Sequence, residues 1–372
     1  MIYLDNAATT RLDDEVSEAM LGVIRNNYGN PSSVHALGRE SRVLIEESRN
    51  TIAGLIKVRP SEIYFTSSAT EAISTALYGA VRDLGITHII TSAIEHHAVL
   101  HTIDAIRKQF AVQHSFVRID KNAQLDFDHL EELLEGNPNS LVILMHANNE
   151  TGTIYPVSKI SKLCKNYNAL FLTDTVQTLG KLNIGFDEIM PDFAVCSAHK
   201  FHGPKGAGFL YVSGRYSIKP FISGGGQERD MRSGTENIYG IAGMAKAFEV
   251  AYRDMEKNTV YISKLKSYLV QKLRSAFPEL IFNAGSDVAG LYNIVNVSVP
   301  EVYKNEMLLQ NLDINGIAVS GGSACSSGTT SVSHVLKAIY ADTDIPAIRF
   351  SLSKFNTEAE LEVVVQVLKR IL

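Results

Sequence analysis

This 372-residue sequence has few of the features of a secreted, membrane or nucleic-acid-binding protein. It contains only three cysteines, Cys164, Cys196 and Cys325, an odd number that argues against a disulfide framework and predicts a reducing compartment. No apolar run reaches the roughly eighteen residues of a membrane span, and the opening MIYLDNAATT lacks the apolar core of a signal peptide. The net charge of -5 comes without a basic arm. We therefore expect a cytoplasmic protein with no membrane or nucleic-acid partner.

The main feature of the sequence is a series of short apolar runs that alternate with helical patterns. The runs are EIYFT, HIITS, SFVRI, LVILMHA, ALFLTD, DFAVCSA and GFLYV. Runs that are apolar throughout, instead of alternating with polar residues, are typical of strands covered on both faces. The pattern predicts an α/β fold, with a mainly parallel, seven-stranded sheet in a large domain over residues 13–255.

The pattern changes after residue 255. A long charged helix follows, then the apolar run LYNIVNVSVP, the Gly/Ser-rich stretch SGGSACSSGTT and a last helix from Glu358. This order predicts a smaller α+β domain, formed by residues 256–372 together with residues 1–12. The composition of the Gly/Ser-rich stretch is that of a mobile loop, and this loop carries Cys325.

Three predicted strand ends carry polar residues, and ligands bind at strand ends in sheets of this kind. SSATEA after the first run could hold a phosphate on backbone N–H groups, or could simply form a capping box from Ser68 to Glu71. Asp174 could pair with a cation or cap a turn, and Lys200 could form an imine or extend to solvent. In this order, a phosphate cradle, a carboxylate and an amine are what pyridoxal phosphate requires.

Two further residues stand out in the second part of the chain. Cys164 and Cys196 lie in patterns typical of buried positions, so we assign both to the core. Cys325 has almost nothing apolar around it, which makes it a candidate nucleophile, with a plain surface thiol as the alternative. Arg349 could bind a substrate carboxylate through two hydrogen bonds or could form a surface salt bridge.

At these positions the sequence resembles the cysteine desulfurases, which are fold-type I, class-V aminotransferase-like enzymes that use pyridoxal phosphate. Ten motifs match in the family's order over nearly the whole chain. They are YLDNAATT, NPSSVH, FTSSATEA, EHHAVL, MHANNETG, DTVQTLGK, SAHKFHGPKG, GGGQERDMRSGT, SGGSACSSG and RFSLSKF. Each motif alone would be weak evidence.

The resemblance implies a role for each matching residue. Lys200 would carry the cofactor covalently, His96 would stack on its ring and transfer protons, and Cys325 would receive sulfur as a persulfide. The other cofactor contacts would be Asp174 at the ring nitrogen, Asn149 and Gln177 at the phenolic oxygen, and Ala69, Thr70, Ser197 and His199 at the phosphate. Arg349, helped by Asn149, would bind the substrate carboxylate. Thr235 would reach the phosphate in the neighbouring subunit, which implies a homodimer.

The implied activity is conversion of L-cysteine to L-alanine, with sulfur delivered to a scaffold or other acceptor protein for iron-sulfur clusters, thio-cofactors or tRNA thiolation. A selenocysteine lyase or another aminotransferase-type enzyme is an alternative on the same fold. His97 and His101, four residues apart with Asp104 nearby, raise a metal hydrolase as another alternative. No glutamate that could act as a general base lies between them, so a solvated helix face explains these histidines better, and we expect no metal. A non-catalytic binding protein is a further alternative.

Overall fold

The computed structural model describes residues 1–303, 307–321, 333–340 and 345–372, so the predicted nucleophile Cys325 lies outside the described residues. Within them the helices are α1 (Asp14–Asn26), α2 (Ala36–Ile56), α3 (Ala69–Leu84), α4 (His97–Arg107), α5 (Phe127–Gly136), α6 (Val157–Asn166), α7 (Phe186–Ile189), α8 (Gln227–Asp230), α9 (Ile238–Arg253), α10 (Met255–Ala276), α11 (Leu308–Ile314), α12 (His334–Tyr340) and α13 (Glu358–Ile371). The strands are β1 (Ile2–Tyr3), β2 (Ile63–Thr66), β3 (His88–Ser92), β4 (Gln113–Val117), β5 (Ser140–Ile143), β6 (Leu170–Asp174), β7 (Phe193–Ser197), β8 (Gly208–Val212), β9 (Ile281–Phe282), β10 (Ile294–Ser298), β11 (Ile317–Ala318) and β12 (Ala347–Ser351).

The large sheet contains one strand from each of the seven apolar runs. Its strand order is β2-β8-β7-β6-β5-β3-β4. Only β8 runs antiparallel to its neighbours β2 and β7, and every other pair in this sheet is parallel. The prediction of a mainly parallel, seven-stranded α/β sheet is confirmed.

Both faces of this sheet are covered, which explains the uninterrupted apolar runs. On β7, Phe193 and Val195 pack into a core with α3 and α4. The intervening Ala194 and Cys196 pack into a second core that includes residues of α2, α6 and α9. Because successive strand residues point to opposite faces, a strand between two helical layers needs apolar residues at every position.

β5 is shorter than the run that predicted it. The run LVILMHA extends to Ala147, whereas the strand ends at Ile143. Beyond that point the N–H groups of Leu144 and His146 still donate to β6 carbonyls, at 3.2 and 2.9 Å. The N–H of Met145 instead donates to the carboxylate of Glu95, at 3.0 and 3.1 Å. A side chain thus replaces the neighbouring strand β3 as hydrogen-bond acceptor and ends the ladder.

The C-terminal part of the chain builds a second, smaller sheet. β10 lies between β9 and β12 and is antiparallel to both. α10 and α13 cover this sheet, and their leucines and valines share a core with Phe350 and the N-terminal Leu4. β1 pairs in parallel with β11, from Ile2 opposite Ile317. The domain boundaries at residues 12 and 255 stay a prediction.

The two described cysteines both belong to the core. Cys164 and Cys196 are both buried, as predicted for core residues. Burial raises the pKa of each thiol, which keeps both in the unreactive protonated form. In the described part of the chain, no helix combines the length and apolarity needed to cross a membrane.

Candidate active site

One cavity collects most of the residues that the sequence singled out. It contains about 1030 Å³ of empty space, part of it open to solvent, at the carboxyl ends of the central strands. The predicted site residues that line it are Ala69, Thr70, His96, Asn149, Asp174, Gln177, Ser197, His199, Lys200 and Arg349. Thr235 does not line this cavity, and Cys325 lies outside the described residues.

Lys200 lies in a short 3₁₀ turn directly after β7. Its Nζ donates to the backbone carbonyls of Ala7 and Ala8, at 2.9 and 2.8 Å. The same N-terminal segment is tied to the turn again, because the N–H and hydroxyl of Thr10 both donate to the carbonyl of His199, at 2.9 Å. The first ten residues therefore help to position the amine, a function that sequence reasoning did not assign to YLDNAATT.

Asp174 ends β6 and is only 8% exposed. One of its carboxylate oxygens, Oδ1, accepts the N–H of Val176 at 2.9 Å, which is the capping role considered for it. Burial raises the pKa of Asp174 to about 6, while the Val176 hydrogen bond and the charge of Lys200 oppose the rise. A buried carboxylate whose pKa is raised in this way would be stabilised in its charged form by a cationic group placed beside it.

The start of α3 forms another wall of the cavity. Ser68 is the N-cap, and its hydroxyl accepts the N–H of Glu71 at 3.4 Å. The N–H of Ala69 donates to the hydroxyl of Ser197 at 2.7 Å, so the helix start is joined to the end of β7. The positive end of the α3 dipole and the first helical N–H groups make this wall suitable for an anion.

His96 is the N-cap of α4, and its protonation state follows from that position. Its Nδ1 accepts the N–H of Ala98 at 3.1 Å, so in the neutral ring the hydrogen is on Nε2. Burial, together with the charge of Lys200, lowers the pKa of His96 to about 4. His96 is therefore neutral near pH 7, with Nε2–H as its available donor.

Arg349 is not on the surface, as the salt-bridge alternative assumed, but is 1% exposed on β12. Its Nη2 donates to Oδ1 of Asp5 at 2.8 Å, and its Nη1 donates to the backbone carbonyl of Asn149 at 3.0 Å. Within the described residues, its Nε has no hydrogen-bond partner. Asp5 was missed by sequence reasoning, because nothing near it in the chain indicates a buried arginine.

Two buried carboxyl groups beside the cavity were also missed. Burial raises the pKa of Glu95 to about 8, although its carboxyl accepts from Ser92 and from Met145. Burial likewise raises the pKa of Glu150, whose Oε2 accepts from the hydroxyl of Ser333. Both glutamates lie inside motifs, EHHAVL and MHANNETG, yet burial of a carboxyl group leaves no local sequence pattern.

The histidines that raised a metal hydrolase pack against one another and against a third histidine. The rings of His97 and His101 stack with centroids 5.0 Å apart, and His334 lies 4.2 Å from His97. Across the described ranges, no group of three His, Cys, Asp or Glu side chains is placed to hold a metal ion.

Comparison with known proteins agrees with this geometry. The family model for class-V aminotransferases matches residues 2–364. The chain belongs to this family, among its cysteine desulfurases. It is 41% identical to the cysteine desulfurase IscS of Dictyoglomus turgidum, over all of this chain and 94% of that protein. It is 38% identical to the cysteine desulfurase of Trichormus azollae, over all of this chain and 92% of that one.

Solved structures that are similar to this chain have the same fold. A NifS-like protein superposes with a TM-score of 0.91 at 38% identity, covering all of this chain and 98% of the other. A structure described as SspA in complex with cysteine gives a TM-score of 0.81 at 29% identity, covering 96% of this chain and all of the other. The family resemblance and the fold inferred from the motifs are thereby confirmed.

Proposed function

We propose that this protein is a pyridoxal phosphate-dependent cysteine desulfurase. It would convert L-cysteine to L-alanine and transfer the sulfur to Cys325. The observation that carries the proposal is the single cavity in which an amine, a buried carboxylate, a helix N-terminus and a buried guanidinium group meet. The two curated relatives named above are cysteine desulfurases, which supports the same reaction here.

The residues of the cavity fit pyridoxal phosphate. The carboxyl of Asp174 has a raised pKa and would be stabilised by a protonated ring nitrogen. The start of α3 offers N–H groups and a favourable dipole to a phosphate, and Lys200 offers a primary amine to an aldehyde. When bound, the cofactor would supply an electron sink for negative charge that develops at the substrate α-carbon.

Side chains of the protein would transfer protons and bind the substrate next to the cofactor. Nζ of Lys200 is the amine placed to take and return a proton at the substrate α-carbon. The neutral ring of His96 would donate from Nε2, because its Nδ1 is occupied by the N–H of Ala98. Both groups line the same cavity, so one bound amino acid could contact the two.

Arg349 would bind the substrate carboxylate. Its guanidinium group already makes one ionic contact, with Asp5, and one contact with the carbonyl of Asn149. Arginine has five N–H donors, so donors remain for a second carboxylate. A carboxylate bound there would also compensate the positive charges of Arg349 and Lys200, which line the same cavity.

The active unit would be a homodimer. Thr235 lines a separate cavity with Thr66, Gly206 and Arg232, and could serve a neighbouring subunit across an interface. Residues 21–43 expose several large apolar side chains, among them Tyr28 at 70% and Val34 at 89%, which suits burial against a second copy. A scaffold or other acceptor protein would take the sulfur from Cys325.

Product analysis tests the reaction. Purified protein loaded with pyridoxal phosphate and given L-cysteine and a thiol reductant is expected to release sulfide and alanine in equal amounts. The Cys325→Ala variant is expected to lose sulfide release while still binding the cofactor, and Cys164→Ala serves as its matched control. Steady transamination by Cys325→Ala at the wild-type rate would favour an aminotransferase. Clear preference for selenocysteine over cysteine would favour a lyase.

Subunit mixing tests the role of Thr235. Lys200→Ala and Thr235→Val would each be inactive or impaired as homodimers. If Thr235 acts across the interface, a mixed dimer has one site with both changes and one wild-type site, so about half of the wild-type activity should return. No recovery on mixing would place Thr235 within its own subunit's site or outside catalysis.

A further inference from the structure

Lys181, the last residue of the motif DTVQTLGK, is a buried amine to which the proposed mechanism gives no role. It is 7% exposed and follows β6 through a tight turn. Gly180 in this turn has a φ of +74°, and a Cβ there would come within 2.7 Å of Phe201, next to Lys200. The turn therefore lies directly against the segment that carries the active-site lysine.

The contacts of Lys181 fix the orientation of Gln177, which lines the cavity. Nζ of Lys181 donates to Oε1 of Gln177 at 2.8 Å, and Nε2 of Gln177 donates to the carbonyl of Ala7 at 3.0 Å. A backbone carbonyl only accepts and an ammonium only donates, so with Lys181 charged the amide cannot be reversed without losing both bonds. The second hydrogen on Nε2 remains for a ligand.

The same carbonyl connects this pair to the active-site amine. The oxygen of Ala7 accepts from Gln177 at 3.0 Å and from Nζ of Lys200 at 2.9 Å. Lys181, Gln177, Ala7 and Lys200 thus form one continuous set of hydrogen bonds, most of it buried. A change at Lys181 would reach the cavity through these hydrogen bonds of Gln177 and, where it removes a charge, through the repulsion between Lys181 and Lys200.

We propose that Lys181 is a positioning residue that holds Gln177 as an N–H donor toward an oxygen of the bound cofactor. The inference rests on the proposed function, because it assumes that pyridoxal phosphate occupies the cavity. Without Lys181, the amide of Gln177 could rotate and present its carbonyl oxygen to the ligand, and two acceptor oxygens repel each other.

The charge on Lys181 is set by several neighbours, but its donor role is not. Burial, together with the charges of Lys200 and Arg349, lowers the pKa of Lys181 to about 7. His199 and His202 also face it, as does the ion pair of Asp13 with Lys354 in the adjoining cavity. Both the ammonium and the neutral amine donate hydrogen bonds, and the carbonyl of Ala7 can only accept from Nε2, so the same orientation of Gln177 is favoured on either side of neutral pH.

The chain supplies a matched control in Lys266 on α10. This lysine is 8% exposed, and burial lowers its pKa to about 8, much as for Lys181. Its Nζ donates only to backbone carbonyls in the described contacts, those of Ala289 and Leu291, at 3.2 and 3.0 Å. Replacement of Lys266 therefore removes a comparable buried amine without touching Gln177.

A double-mutant cycle tests the proposal in the full-length protein. The dissociation constant of pyridoxal phosphate and the pH titration of its visible absorption are measured for Lys181→Met, Gln177→Leu, the double variant and Lys266→Met. Lys181→Met should weaken binding about 3- to 10-fold, the equivalent of one hydrogen bond, and should shift the titration. The double variant should bind no more weakly than Gln177→Leu alone, because the effect of Lys181 passes through Gln177. Lys266→Met should bind like the wild type.

Three results would overturn the proposal. They are wild-type binding and absorption in Lys181→Met, full additivity of the two changes, and an equal loss in Lys266→Met. If Lys181→Met does not fold, Lys181→Gln, which keeps a buried donor, is compared with wild type. Lys181→Gln should lose less affinity for the cofactor than Gln177→Leu. An equal or greater loss would also count against the proposal. Failure of the wild type itself to bind the cofactor would overturn the proposed function as well.

Discussion

The two sides of the cavity are built in different ways. The sheet side, formed by Lys200, Asp174 and Ser197, comes from the ends of the adjacent strands β6 and β7. The arginine side, formed by Arg349, Asp5 and the carbonyl of Asn149, joins residues 344 and 200 positions apart in the chain. The sheet places the residues of the sheet side, although Nζ of Lys200 also bonds to the N-terminal segment, whereas the arginine side exists only when the N-terminal segment, β12 and the loop after β5 come together.

Substitutions on the sheet side should therefore reduce catalytic activity without reducing the stability of the fold. Lys200→Ala is expected to reduce sulfide release about 1,000-fold or more, because the only amine proposed for bond formation is removed. The melting temperature should stay near that of the wild type, since Lys200 is only partly buried. Lys205→Ala, at an exposed position five residues on, is the control and should keep full activity. Substantial sulfide release by Lys200→Ala would contradict the assignment of the sheet side.

On the arginine side, the next largest effect should appear in substrate binding. Arg349→Lys keeps the positive charge but loses the planar pair of donors, and a charged hydrogen bond contributes about 1.5–3 kcal/mol. We expect kcat/KM for L-cysteine to fall about 10- to 100-fold, mainly through a higher KM. Steady-state kinetics at several cysteine concentrations measure this split. A fall confined to kcat, with KM unchanged, would show that Arg349 does not bind the substrate.

A smaller effect should follow from removal of the partner of Arg349. Asp5→Asn leaves a buried guanidinium without its ionic contact, and we expect a loss of about 1–2 kcal/mol in the free energy of unfolding, measured by urea titration. Asp14→Asn breaks an exposed ion pair with Arg11 and should change stability by less than about 0.5 kcal/mol. If the two changes lower the free energy of unfolding equally, the contact between Asp5 and Arg349 contributes no more to stability than an exposed ion pair.

The last prediction concerns pH and tests what supports the sheet side. Burial raises the pKa of Glu95 to about 8, so the folded protein holds a proton that the unfolded chain releases near pH 4.5. This group therefore makes the free energy of unfolding decrease as pH rises from about 4.5 to 8. Glu95→Gln cannot titrate, so its stability relative to wild type should increase over that range.

Melting curves at several pH values check this expectation. Glu279→Gln, at an exposed position, should keep a constant difference from wild type over the same range. A constant difference for Glu95→Gln as well would mean that Glu95 is already ionised in the folded protein, and that its contacts with Met145 and Ser92 outweigh burial.

Sequence reasoning brought candidate residues together where the regular geometry of the sheet decides which residues lie near each other. Asp174 and Lys200 were found because the carboxyl ends of parallel strands meet at one edge of a sheet, and the strands themselves were visible as apolar runs. Arg349 was found as a candidate, but its burial and its pairing with Asp5 were not. Glu95 and Lys181 were overlooked, because a charged residue in a sequence carries no sign of whether it will be buried.

The amino-acid sequence by itself determined the order of strands and helices, the composition of each strand and the positions of the cavity's main polar groups. They depend on local periodicity and on the regular geometry of a parallel sheet, both of which repeat over a few residues. The pairing of Asp5 with Arg349, the raised pKa of Glu95 and the orientation of Gln177 by Lys181 arose only when distant segments packed together. Such features depend on which groups lose contact with water, and that is decided by the three-dimensional arrangement of the whole chain.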